Sequence, residues 1–522
     1  MNKVVIQNPL IWADVPDVDV VRYENVFYMI STSMHSMPGC PIMKSTDLKN
    51  WELVSYVFDT FDDGPGHTLE DGKGVYGKGS WAASLKVHNG QFYAVFNCND
   101  TGCFYVYKCE DIKQGTWQRV AKMDAFFHDP ALHFEEDGTP YVIYGNGDIR
   151  IVELEKDLSS VKDGGIHKLL FEMPREGIML RGEGCHAYKI GAYYYLIFIE
   201  WPNEGNRRRR EVCYRSKALL GPYERRVILD DDMGFANQGV AQGGLFENGA
   251  GTWYAMLFQD HFAVGRIPYL LPVSWEDEWP MLGIDGKVPK QFEVEIPWEI
   301  RIPNKDANAS EAELRKYQLV RSDEFEYEEN KLPLNWQWNH NPDNTLWSVT
   351  DRKGYLRLTT GKVVEKGIQQ ARNTLTQRTE GPGCIVQTRL DFAGLRVGDS
   401  AGLVAMQGQF GCIGVKRVSE KETVLQVTFN DGNYAEQVVW HKTLAPEMTQ
   451  VDLQIEYDFA PGEDKAYFAY AFEDGAFIRT EAVLQMRYTL DHFMGYRTGL
   501  YCYATENIGG YADFDYYHYT KK

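Results

Sequence analysis

Five times in the first half of the chain, a turn residue leads into a short aromatic strand that contains a tyrosine. The copies are Asn25-Val-Phe-Tyr28, Gly90-Gln-Phe-Tyr93, Gly138-Thr-Pro-Tyr141, Gly191-Ala-Tyr-Tyr194 and Gly251-Thr-Trp-Tyr254, with the tyrosines 65, 48, 53 and 60 residues apart. Recurrence on this scale means one supersecondary unit that buries its apolar face against its neighbours. Around each copy, short alternating runs of Tyr, Val, Ile and Phe between Gly, Asn and Asp predict strands. Several copies continue into a second strand and a closing segment, such as Ser45 to Trp51 and Cys109 to Trp117. Five units of about four strands each predict a five-bladed β-propeller.

The rest of the chain extends the all-β expectation. Helix signals are confined to Ser310 to Arg315, where a serine start is followed by a glutamate at the third position. The repeat ends near Trp275-Glu-Asp-Glu-Trp279-Pro280, and residues 1–300 are assigned to the propeller. The polar stretch 301–319 reads as a linker. From about Val320, alternation such as Tyr355-Leu-Arg-Leu-Thr continues without the blade repeat, so residues 320–522 are expected to form a β-sandwich.

Charge and cysteine usage narrow the partners. With 54 Lys+Arg against 74 Asp+Glu, the net −20 disfavours nucleic-acid phosphates and anionic lipid surfaces. No run reaches the roughly 18 apolar residues of a membrane span. The N-terminus has a three-residue apolar run before Gln7-Asn8-Pro9 and lacks a secretory h-region. The expectation is a cytoplasmic protein, unless a leader precedes the sequence given. Nine scattered cysteines without a C-x-x-C pair suggest free thiols rather than a zinc site or a disulfide framework.

Stepping back eleven or twelve residues from each repeat tyrosine reaches Asp17, Trp81, Asp129, Glu183 and Gln242. In a propeller this is the start of the innermost strand, which opens onto the central channel. Taken singly, each carboxylate also fits a turn cap or a solvated loop. Taken together, three carboxylates converging on one axis repel one another and raise pKa values, a cost with no folding benefit. Carboxylates beside a tryptophan suit sugar chemistry: an acid, a base, a tuning charge and a stacking wall.

These blocks resemble glycoside hydrolase family 43. The resemblance rests on Asp17-Val-Asp-Val-Val-Arg22, Trp81-Ala-Ala, His128-Asp129-Pro130, Glu183-Gly-Cys-His-Ala-Tyr188 and Gly265-Arg266, which follow in order through the propeller. Leu332 to Trp338 and Ala512 to Tyr516 resemble the concanavalin-A-like domain of the β-xylosidase-type members. The resemblance implies an exo-acting, inverting hydrolase that releases terminal xylose or arabinose from hemicellulose oligosaccharides. It implies Asp17 as general base, Glu183 as general acid and Asp129 as the residue that raises and orients the acid. Inversion requires the acid and base carboxyls to stand about 6.5–9.5 Å apart. Arg266 aligns with an arginine that binds sugar hydroxyls, and Trp81 would wall the pocket, with surface and core roles as the respective alternatives.

The chain also departs from the family pattern. Gln242 stands where many members place a histidine, sometimes beside a channel calcium; a glutamine carbonyl can still ligate Ca²⁺. No cofactor is expected to be required, and channel calcium stays open. Met34 and His35 replace an aromatic-rich stretch and either refit the pocket or fill space. The phenylalanine by which the second domain closes the pocket falls at Arg497, beside Tyr496. The run Arg207 to Arg210 reads as a solvated hairpin, with a rim contact to acidic xylan or a partner subunit as the sharper reading. Homo-oligomerisation stays open. The competing functions are an endo-arabinanase with an open groove and a non-catalytic carbohydrate-binding propeller.

Overall fold

The computed structural model describes residues 2–206, 208–300, 310–365, 367–430, 436–473 and 475–522. Five four-stranded sheets form a ring, each an antiparallel meander in chain order. Their innermost strands are Asp19–Tyr23, Ser84–His88, Ala131–Phe134, Ile178–Ile190 and Ala241–Glu247. Each repeat tyrosine lies in the second strand, immediately after the hairpin turn. Tyr28, for example, pairs with Val21 across the first hairpin. Alternation thus produces strands, and the turn residues set where each one folds back.

Blade five meets blade one through buried Val18, Val20, Phe27 and Met29 packed with Phe246, Tyr254, Met256 and Leu270. Arg22 Nε adds a 3.1 Å bond to the Glu247 carbonyl. Beyond the last blade strand, Trp279–Leu282, the chain turns back so that Gln291–Ile296 pairs with Asn2–Gln7. Residues 301–309 of the linker stretch and Arg207 of the arginine run lie outside the described residues. At the linker's far end, Ser310 caps helix Glu311–Arg315 with the reciprocal Glu313 bond, as the serine–glutamate spacing predicts.

The second half is a sandwich of a seven-stranded and an eight-stranded antiparallel sheet. It is joined to the propeller by a continuous core that includes Tyr28, Phe58 and Ile267 on one side and Trp336, Leu403 and Tyr496 on the other. Backbone bonds stitch the seam: Met37 and Trp338 exchange N–H···O bonds of 2.8 and 2.6 Å, and Tyr496 N donates to Ala263 O at 2.8 Å. Asn341 brackets Phe61, accepting from its N–H at 3.0 Å and donating to its carbonyl at 2.9 Å.

One crossing admits only glycine. Gly265 has φ +99° and its chain abuts Gly495; a Cβ on Gly495 would lie 2.2 Å from Val264 O. That contact lets the loop after strand Ile478–Gln485 lie across the mouth of the propeller channel. Gly495→Ala should therefore strain the seam by about 1–3 kcal/mol. Thermal denaturation should register a lower Tm, whereas Gly64→Ala, which points into open space, should be silent.

Candidate active site

The propeller brings Asp17, Trp81, Asp129, Glu183, Gln242 and Arg266 around one cavity of about 200 Å³. This is smaller than the roughly 300 Å³ lower bound for drug-sized ligands and suits a single sugar ring. Asp17 and Asp129 each stand two residues before an innermost strand, while Glu183 and Gln242 sit at bulges inside one. Asp17, Asp129 and Gln242 all hold left-handed backbone, with φ of 52°, 44° and 67°. Such conformations are costly for residues with a Cβ and persist where the surroundings over-determine them. Gly184 allows the bulge that presents Glu183: its φ is +72° and a Cβ there would meet Gln242 Cγ at 2.7 Å.

Three donors fix the Asp17 carboxylate. Thr32 Oγ1 donates to Oδ2 at 2.7 Å, Gln242 Nε2 to Oδ1 at 3.1 Å, and Arg266 Nη1 also reaches Oδ1. A carboxylate offers about four lone-pair sites, so Oδ2 keeps one for a water. Arg266 is itself held by the Asp260 carboxylate through Nε at 3.3 Å. Its guanidinium lies 3.7 Å from the centre of the Phe493 ring.

Around the opposite carboxylates the charges are coupled. Glu183 Oε2 faces His128 Nε2 at 3.2 Å and Asn146 Nδ2 at 3.1 Å, leaving Oε1 for a ligand. Asp129 Oδ2 accepts from Gly184 N at 2.8 Å, which anchors the Glu183 bulge, and lies 3.7 Å from His128 Nε2. Burial pushes Asp129 up to about 6, with Glu183 and Asp17 adding repulsion against the pull of His128. Burial acts the same way on Glu183, but the His128 bond and charge, with Arg209 and Arg266, hold it below its usual range. The expected repulsion between the two carboxyls is therefore present, but it raises Asp129. In a coupled pair the shared proton belongs to both. His128 in turn rises to about 9, chiefly through Asp129 and then Glu183, against its burial.

The remaining sequence expectations divide. Trp81 walls the pocket, meeting Phe493 edge-on at 5.2 Å and donating from Nε1 to Gly77 O at 3.1 Å. Met34 is fully buried and packs with Phe493 and Met494, supporting the wall from behind. His35 is also buried, against Tyr76, His340 and His492 at the seam. Neither lines the pocket. Arg497 does not reach it either: it opens a sheet strand and donates to Gln337 Oε1 at 2.8 Å. The second domain instead closes the pocket with Leu490 and Phe493. Arg208 and Arg209 are not solvated. Both bind Asp260, which is 0% exposed, because a buried carboxylate requires counter-charges.

Sequence reasoning missed Thr32, Asn146, Trp201 and Asp260. They lie four, five, seven and six residues beyond Tyr28, Tyr141, Tyr194 and Tyr254. The second strand runs antiparallel to the first, so its end lies beside the first strand's start; stepping forward as well as back would have found them. Beneath the pocket is a chamber of about 10 Å³ lined by Asp17, Asp129, Cys185, His186 and Gln242. Calcium takes six to eight oxygen ligands. Among the described residues, the side-chain oxygens lining the chamber come from Asp17, Asp129 and Gln242, and three protein donors already hold Asp17. These side chains supply fewer oxygens than a calcium shell holds, so backbone carbonyls or waters would have to complete it.

The chain is 28% identical to a beta-xylosidase of Formosa agariphila, over 98% of this chain and 90% of that protein. It is 25% identical to a non-reducing end alpha-L-arabinofuranosidase of Bacteroides ovatus, over 81% and 78%. Among solved structures, a bifunctional GH43-CE protein of Bacteroides eggerthii superposes with a TM-score of 0.89 at 41% identity; the match covers all of this chain but spans only 64% of that one. The profile of the beta-xylosidase C-terminal concanavalin A-like domain matches residues 322–520. Because the profile of glycosyl hydrolases family 43 matches residues 6–280, more than half the chain and every blade, the chain belongs to that family.

Proposed function

We propose that the protein is an exo-acting, inverting glycosidase that releases terminal xylose or arabinose from hemicellulose oligosaccharides. The observation that carries this reading is the one-sugar pocket, with Asp17 held by its own set of donors and Asp129 and Glu183 held together by His128. Asp17 Oδ2 takes the proton of a water that attacks the anomeric carbon. Glu183 Oε1 gives its proton to the departing glycosidic oxygen. Inversion follows because the water and the leaving group occupy opposite faces of the ring. Asp129 anchors Gly184 and sets the acid's charge environment. The catalytic unit is residues 1–300, with 301–319 as linker and 320–522 as the sandwich that seals the pocket.

An endo-acting arabinanase needs a groove open at both ends, whereas Leu490 and Phe493 shut one side. A binding module has no use for a buried acid pair. β-D-Xylopyranose and α-L-arabinofuranose place their hydroxyls similarly, which supports a dual specificity. The relatives named a beta-xylosidase and an alpha-L-arabinofuranosidase fit that reading.

On 4-nitrophenyl β-D-xylopyranoside and α-L-arabinofuranoside, Asp17→Ala should lower kcat by about 10²–10⁴-fold. Glu183→Ala should lose less on these activated leaving groups than on xylobiose. A variant within tenfold of wild type on xylobiose would overturn its assigned role. The pair's shared proton should make kcat/KM fall as pH rises through about 6, the value to which Asp129 is raised. Asp129→Asn removes the repelling charge, so Glu183 loses its proton more readily and that alkaline limb should move to lower pH. We further propose that hydrolysis needs no metal, and EDTA dialysis should leave kcat unchanged.

A further inference from the structure

The structure assigns a role to His128, to which none of the proposed proton transfers gives a part. It stands beside Asp129 in the segment leading into blade three, and its side chain remains 26% exposed at the rim, next to half-open Phe126. From there its Nε2 reaches 3.2 Å to Glu183 Oε2 and 3.7 Å to Asp129 Oδ2. One ring nitrogen therefore faces both carboxylates of the acid pair. With Asn146 Nδ2 it occupies the Oε2 side of Glu183, so the free oxygen is Oε1.

We propose that His128 is a positioning residue of the acid: it holds Glu183 by Oε2 so that Oε1 meets the leaving group, and its charge sets the alkaline limit of catalysis. It acts through Glu183 and touches no reacting atom, so it is not a catalytic residue. The other charged groups acting on the pair are Asp17, Arg209 and Arg266. Both arginines are engaged by the buried Asp260 carboxylate. His128 is the positive group in direct contact with Glu183, and the anions around it keep it charged through neutral pH. A cation at this distance favours the ionised carboxylates and thus releases the pair's proton at lower pH.

The proposal rests on Glu183 being the acid, and the test separates the two claims. His128→Gln keeps an amide donor but removes the charge, so the alkaline limb of kcat/KM on xylobiose should move to higher pH. That direction is opposite to the shift expected for Asp129→Asn. His128→Lys, which restores a cation, should return the limb toward wild type. His128→Ala, which loses the bond as well, should lower kcat about tenfold or more with KM within twofold. Far-UV circular dichroism and Tm would identify any variant that fails to fold, in which case the remaining two decide the question. An unmoved limb in His128→Gln, together with an inactive Glu183→Gln, overturns the role of His128 alone. An active Glu183→Gln overturns the underlying acid assignment.

Discussion

The architecture of the site depends on one buried carboxylate, Asp260, at the end of the second strand of blade five. An isolated buried charge costs several kcal/mol or more, so its partners are obligatory. Arg208 and Arg209 reach it from the blade-four hairpin, Arg266 from the next strand of its own blade, and Tyr488 from the sandwich, at 2.8 Å from Oδ1. The Coulomb pull of these arginines holds Asp260 well below the usual carboxylate range despite its burial. Through Arg266 the same cluster orients Asp17, and through Tyr488 it fixes the loop that carries Leu490 and Phe493. One charge therefore ties the Asp17 side of the pocket to the lid supplied by the second domain.

The two sides of the pocket use charge differently. Around Asp17, neutral and cationic donors converge from two blades, Thr32 from the first and Gln242 and Arg266 from the fifth, and immobilise the carboxylate. Around Glu183, a second carboxylate repels and the His128 imidazolium attracts. This asymmetry gives the two sides of the pocket different charge environments, on a ring of blades that are otherwise alike, and it suits the proposed division between a base and an acid. The left-handed backbone of Asp17, Asp129 and Gln242 belongs to the same arrangement, since a regular strand start would not aim those side chains at the axis.

Much of this was legible in the residues. The tyrosine repeat located five hairpins, and counting back from it found the carboxylates, Trp81 and Gln242. Resemblance to the family added Arg266. The misreadings share one cause. Arg208 and Arg209 look solvated in a four-arginine run, because nothing nearby in sequence announces Asp260, some fifty residues on. Arg497 was placed as the pocket closer by alignment, but a residue paired into a sheet cannot cross the channel, whereas Phe493, on the preceding loop, can. Met34 and His35 were judged by residue type, and burial behind Trp81 and at the seam decided their roles.

The sequence alone determined the all-β class, the five-unit ring and the end of the channel at which three carboxylates gather. Those properties follow from a period of two, from turn residues and from a repeat, all of which are local. The tertiary structure decided which residues of the second domain close the pocket, which arginines are buried, and that His128 bears on both Asp129 and Glu183. Each of these is a contact between groups brought together by packing, in most cases across fifty to several hundred residues. The energy of such a contact depends on burial and on the neighbouring charge, neither of which has a signature in adjacent residues.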